Sequence, residues 1–139
     1  MARRLMYLLD TNIWLERLLD QKQSEDVGAF LDKIPTEQIY ISDFSFHSIC
    51  VILMRLGHSQ LLIDFVDDVV VPGDIQVLAI PPDLTAQVVE VMERFNLDFD
   101  DGYQYLIAEQ NELSIVTFDR DFDKTERGRK TPAEILAEP

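Results

Sequence analysis

A chain of 139 residues, 47% hydrophobic and 27% charged, is long enough to bury a core of its own as one domain and too apolar for intrinsic disorder. Its formal charge of −14 repels nucleic acid except where basic groups are concentrated, and five of the 12 basic residues (Arg120, Lys124, Arg127, Arg129 and Lys130) do fall in one C-terminal stretch, which reads either as a solvated tail or as an RNA-phosphate or partner contact. The single cysteine, Cys50, has no intrachain disulfide partner, no apolar span is long enough to cross a membrane, and the run after Ala2-Arg3-Arg4 is too short for a signal peptide, so the expected location is cytoplasmic.

The first predicted element is a buried strand, Met6 to Leu9, followed by helical patterns at Ile13 to Leu19 and at Ser24 to Ile34, where Ser24 is a candidate N-cap and Val27, Phe30, Leu31 and Ile34 recur at helical spacing. Ile39-Tyr40-Ile41 is a short strand. Phe44 to Leu56 is apolar almost all round, which calls for cover on several sides and suggests a subunit interface in addition to a core contact. Gly57 ends that helix and Ser59 begins another, carrying Leu62, Phe65, Val66 and Val69. After the turn Pro72-Gly73-Asp74, a β-rich run extends from Ile75 to Ile80, bounded by Pro81-Pro82. Leu84, Val88, Val91, Met92 and Phe95 mark an amphipathic helix, and Asp101 to Glu112 is a further helix. Leu113 to Phe118 is a final strand, and Thr131-Pro132-Ala133-Glu134 has the pattern of a capping box opening a short helix. Strands alternating with helices in this way imply a parallel sheet flanked by helices.

Acids fall where strands give way to helices: Asp10 after the first strand, Asp100 and Asp101 at a helix start, Asp119 after the last strand. Taken singly, each reads as a helix cap worth about 1 kcal/mol. Taken together on one rim of the sheet, where open α/β sheets bind ligands, they would converge and repel one another. A divalent cation relieves that repulsion, and oxygen-only ligands favour Mg²⁺ or Mn²⁺ over zinc. Such a centre suits phosphodiester hydrolysis, because the ion neutralises developing phosphoryl charge and lowers the pKa of the attacking water.

At these residues the chain resembles the PIN-domain family, in particular the VapC-like ribonuclease toxins of type II toxin–antitoxin pairs. Leu9-Asp10-Thr11-Asn12 is similar to the family's opening motif, and Asp101 with the helix through Ala108 and then Ile115-Val116-Thr117-Phe118-Asp119 is similar to its closing motif. The resemblance spans about Tyr7 to Asp123. It implies a single domain over residues 1–139 (core about 5–123, then a C-terminal extension with a short helix) built as a three-layer α/β/α sandwich around a central parallel sheet. It further implies a Mg²⁺- or Mn²⁺-dependent endoribonuclease, dimeric, acting on an RNA substrate and restrained by a small antitoxin protein. The implied catalytic, metal-binding carboxylates are Asp10, Asp101 and Asp119, with Asn12 and Thr117 as neighbouring polar groups, Asp100 as a substitute for Asp101, and Asp121 and Asp123 as exposed acids.

One position departs from the family pattern. The family places a glutamate six residues after the serine matching Ser42, and that position is Ser48. A hydroxyl can hold a water but cannot supply the lost charge, and Asp43 lies at the strand end without matching the motif. Arg55, seven residues beyond Ser48 and about 10 Å along the helix, reads as a rim or interface residue. His47 points about 100° away from Ser48, His58 reads as a turn residue, Trp14 as core or interface, and of Tyr103 and Tyr105 one packs in the core while the other lines the cleft. The departure admits an alternative, a catalytically weakened PIN-fold module that binds RNA or a partner protein. A phosphoacceptor domain, which also uses acids at strand ends, is the third class; the chain lacks the second aspartate and the late lysine that such domains need.

Overall fold

The computed structural model describes residues 5–139, and every structural statement below concerns these. Four short strands, β1 (Tyr7–Leu9), β2 (Ile39–Ser42), β3 (Gln76–Leu78) and β4 (Ser114–Val116), form one sheet in the order β3-β2-β1-β4. All pairings are parallel: Tyr7 lies beside Ile39 and Ser114, and Leu8 beside Tyr40 and Ile115. Parallel strands need crossovers, and seven helices provide them and their cover: α1 (Thr11–Leu18), α2 (Ser24–Lys33), α3 (Asp43–Arg55), α4 (Ser59–Phe65), α5 (Thr85–Phe95), α6 (Phe99–Asn111) and α7 (Pro132–Ala137).

Side-chain alternation along the strands divides the apolar residues between two cores. Tyr7 and Leu9 join Ile39, Ile41 and Val116 against Ile13, Trp14, Phe30, Ile49, Leu53, Phe65 and Ile135, which lie on α1 to α4 and α7. Leu8 and Ile115 face the other way, against Val88, Val91, Tyr105, Leu106 and Ile107 of α5 and α6. The central strand β1 is thus buried on both faces, which is why Tyr7 to Leu9 is an unbroken apolar run instead of an alternating one. The α/β/α sandwich expected from the sequence is the observed architecture. Trp14 lies in the first core, its ring 5.3 Å from that of Phe65.

Several boundaries move, each for a local reason. The helix expected from Asp101 starts at Phe99, because the Asp98 side chain accepts from Asp101 N–H at 3.0 Å and serves as its N-cap. The helix expected from Phe44 starts at Asp43, capped by Ser42 Oγ on Ser45 N–H at 2.9 Å. The helix from Ser59 passes at Val66 into a π-helical turn, Val66–Val70. The β run at Ile75 to Ile80 contracts to three residues of a largely exposed edge strand. Gly57 sits at φ +77° just beyond α3, a left-handed position where a side chain would be strained.

The C-terminal residues are tied into the domain. Lys130 pairs beside β4, its N–H bonded to Ile115 C=O and its C=O to Thr117 N–H at 2.9 and 3.1 Å, and Thr131 and Glu134 close the capping box of α7. The basic stretch is mostly consumed by these ties. Lys124 bonds Asn96 C=O, Arg127 bonds Leu113 C=O, Arg129 pairs with Asp123 and bonds Thr117 C=O, and Lys130 pairs with Glu138. Arg120 is exposed, with no such partner among the described residues. Among those residues no helix is long and apolar enough to cross a membrane.

The strand order matters for function. The chain runs from β1 outward through β2 to β3 and then crosses to the opposite side of β1 for β4. The crevice beyond the carboxyl ends of β1 and β4 is therefore the topological switch point, where α/β sheets bind ligands.

Candidate metal centre

Asp10 ends β1 and caps α1, its Oδ1 accepting from Thr11 N–H at 2.7 Å. The cap is only part of its role. Gln104 Nε2 donates to the same oxygen at 2.5 Å, and Thr117 Oγ1 donates to Oδ2 at 2.8 Å. The carboxylate is buried, and burial pushes its pKa above the ordinary range; the hydrogen bonds from Gln104, Thr117 and Thr11 oppose that shift, and the charge of Asp119 adds to it.

Thr117, just past β4, is saturated. Its hydroxyl gives its proton to Asp10 and accepts from Asn12 Nδ2 and from Asp119 N–H, both at 3.0 Å, while Asn12 Oδ1 accepts from Phe118 N–H at 3.2 Å. Asn12 and Thr117 thereby clamp the ends of β1 and β4 together and fix the orientation of Asp10, which fits the neighbouring polar role the resemblance implies.

Asp101 occupies the third position of α6, and because Asp98 does the capping its carboxylate is left for the cleft. It is only 7% exposed. Burial first, then the charges of Asp119, Asp98, Asp10 and Asp121, raise its pKa to about 7. Asp119 follows β4, half-buried, with Oδ1 accepting from Asp121 N–H at 2.9 Å. One carboxylate oxygen from each of Asp101, Asp119 and Asp121 lies within 4.8 Å of the others. Asp121 is exposed, as expected, yet it belongs to this cluster; its two-residue spacing from Asp119 across a 3₁₀ turn brings the acids together.

A cleft of about 350 Å³ opens here, lined by Asp10, Asn12, Asp98, Asp101, Asp119 and Ser48 among others. Asp100 also lines it, exposed at the rim. Ser48 faces the cleft and brings no charge. Asp43 does not replace the missing glutamate, because its Oδ1 is taken by Phe44 N–H and the Tyr103 hydroxyl at 2.8 and 2.9 Å outside the acidic lining. His47 and Arg55 line neighbouring grooves, and Tyr105 is in the core. Tyr103 lines a groove of its own and not the acidic cleft.

Sequence reasoning missed Gln104. Its Nε2 holds Asp10, and its Oε1 accepts from Ser45 Oγ at 3.1 Å and Ser42 Oγ at 3.3 Å, while Thr11 Oγ1 donates to Ser45 Oγ at 3.0 Å. A buried polar relay thus joins β1, β2, α3 and α6 behind the carboxylates. The available signal was an amide three residues after Asp101 on the same face of a helix that is otherwise apolar at its buried positions.

The donor set fits a hard divalent cation. It is all oxygen, it converges, and burial and like charge raise the pKa of one member, Asp101, to about 7, a strain that a cation would relieve. The PIN-domain model matches residues 7–128.

The chain belongs to the PIN-domain family. PIN domains are in general nucleases that use divalent metal ions, and the acidic cluster lies inside the matched region. No curated protein sequence matches this PIN domain significantly. Among solved structures it is similar to a toxin–antitoxin complex from Klebsiella pneumoniae (20% identity, covering 91% of this chain and 97% of that one, TM-score 0.70). It is similar also to FitAcB from Neisseria gonorrhoeae (26% identity, 92% and 99% covered, TM-score 0.66). A third is Mycobacterium tuberculosis VapC20, described as a sarcin-ricin loop cleaving toxin (16% identity, 84% and 92% covered, TM-score 0.70).

Proposed function

We propose that this PIN domain is an endoribonuclease dependent on Mg²⁺ or Mn²⁺ and the toxin of a toxin–antitoxin pair, cytoplasmic and homodimeric, with Asp10, Asp101 and Asp119 as its metal-binding carboxylates. The observation that carries the reading is the convergence of acids at the switch point, with Asp101 raised to about 7 by burial and its acidic neighbours. Family membership supports nuclease chemistry. The sarcin-ricin loop cleaving toxin VapC20 supports an RNA substrate, and the Klebsiella pneumoniae toxin–antitoxin complex supports an antitoxin partner.

When bound, the ion would neutralise charge on the scissile phosphate and lower the pKa of the attacking water. The chain's own part is preorganisation. Thr117 and Gln104 hold the two oxygens of Asp10 in one orientation, Asp98 satisfies the helix start so that Asp101 points its charge into the cleft, and Asp121 N–H orients Asp119. Asp121 is added to the set as a carboxylate near enough to share the ion. Arg120, exposed and next to Asp119 in the chain, offers a cation for the RNA backbone.

Purified protein with Mn²⁺ is expected to cleave RNA, and chelation or Asp10→Asn to abolish cleavage; equal cleavage by the variant would remove the assignment. The second reading, a PIN-fold binding module, is favoured by Ser48, which faces the cleft without the family's charge. No heat of Mn²⁺ binding at millimolar metal, together with no cleavage across a broad RNA panel, would select it.

A further inference from the structure

Beside the acidic cleft lies a second, larger groove of about 520 Å³ lined by Phe44, Phe99, Tyr103, Asp43 and His47. Phe44 lines both, so the two adjoin. We propose that this groove receives one unstacked nucleobase of the RNA strand whose phosphate occupies the acidic cleft, and that Asp43 selects among bases; the proposal rests on the nuclease reading above.

Three features argue for a base. The first is aromatic surface in the open: Phe99, the first residue of α6, is 45% exposed, and its ring lies 5.9 Å from Tyr103 at 34°. Bases recognised in single-stranded RNA stack on such faces. The second is rigidity. The Tyr103 hydroxyl accepts from Ile80 N–H and donates to Asp43 Oδ1, both at 2.9 Å, which pins the ring without any ligand.

The third is the unused acceptor. Asp43 Oδ1 is filled by Tyr103 and Phe44 N–H, whereas Oδ2 makes no hydrogen bond among the described residues. Because Asp43 lines the groove, Oδ2 is available to accept from the amino group of adenine, cytosine or guanine. Uracil offers only an N3–H flanked by two carbonyl oxygens, which the carboxylate repels. An apolar side chain of a partner protein would cover the same rings but leave Oδ2 without a donor.

The test is steady-state cleavage of short single-stranded RNAs of repeated adenine, cytosine or uracil with Mn²⁺, alongside NMR titration of the full chain with adenosine, cytidine and uridine. Phe99→Ala is expected to raise KM roughly tenfold with kcat little changed, Phe99→Trp to restore it, and Asp43→Asn to erase a preference for adenine and cytosine over uracil. Adenosine should shift the Phe99 and Tyr103 resonances. RNA cleavage with KM and base preference unaltered by either variant overturns the proposal while leaving the nuclease reading intact, and leaves the aromatic face to a protein partner. If the wild type cleaves none of these RNAs, the titration alone decides: shifted ring resonances keep a nucleobase site, and unshifted ones at millimolar nucleoside remove it, while the nuclease reading is judged by the broad RNA panel and Mn²⁺ calorimetry above.

Discussion

Asp101→Asn is expected to stabilise the metal-free protein while abolishing the metal-dependent cleavage proposed above. The Asp101 carboxyl titrates at about 7 in the folded state against an ordinary value of 3.8. The native state therefore holds this proton more tightly than the unfolded chain does, so the cost of ionising Asp101 is absent below about pH 4, grows as pH rises from there to about pH 7, and is full above it. At 1.36 kcal/mol per unit, the full cost is about 4 kcal/mol. Asparagine has the same shape and no charge, so the variant should gain about 2–4 kcal/mol at about pH 8 and almost nothing at about pH 4. Thermal unfolding in chelator reads this directly. At this chain length 1 kcal/mol is worth about 3–5 °C, so a rise in Tm on the order of 10 °C is expected at the higher pH. Adding Mn²⁺ should narrow the gap by stabilising the wild type alone. A variant no more stable than the wild type at about pH 8, or equally stabilised at both pH values, would refute the reasoning.

Two further outcomes test neighbouring parts of the site. Gln104→Leu strips Asp10 of a donor and Ser42 and Ser45 of their shared acceptor, so urea unfolding should show a loss of about 1–3 kcal/mol. Ser48→Glu puts the family's missing carboxylate into the cleft lining; titration calorimetry should show Mn²⁺ binding tightened by about tenfold or more, with the metal-free protein less stable, and an unchanged affinity would mean that this position does not reach the ion.

The fold was legible because its signals are local. A doubly buried parallel strand demands an unbroken apolar run, and Tyr7 to Leu9 supplies one; an amphipathic helix demands helical spacing, and Leu84 to Phe95 supplies that. The acids could be located at strand ends for the same reason. What the sequence hid was tertiary. Whether Asp98 or Asp101 caps α6 depends on which carboxylate reaches a backbone N–H, and two acids three residues apart fit the pattern about equally well. The roles of Gln104 and Asp121 depend on contacts across 94 residues in one case and on the turn after β4 in the other. Composition alone left the basic C-terminal stretch open between a solvated tail and an RNA or partner contact, whereas four of its five cations bond carbonyls or carboxylates of their own domain.

The distribution of acids bears on how such a site would hold an ion. Asp10 has both oxygens engaged by Thr11, Gln104 and Thr117, so it is a fixed anchor whose geometry does not depend on metal. Asp101, Asp119 and Asp121 are the opposite case: one carboxylate oxygen of each lies within 4.8 Å of the others, and burial with the neighbouring charges raises the pKa of Asp101. Every carboxylate at the centre comes from β1, the start of α6 or the turn after β4; α3, where the family carries its glutamate, contributes only Ser48 to the lining along with Phe44 and Ile52. Negative charge is therefore concentrated on the α6 and β4 side, and the α3 side is left to hydroxyl and apolar groups. The carboxylates that could hold an ion therefore lie opposite α3, whose Phe44, Ser48 and Ile52 line the cleft without charge. On this reasoning the substitution at position 48 moves the centre of charge before it decides activity, and the response of Mn²⁺ affinity to Ser48→Glu measures by how much.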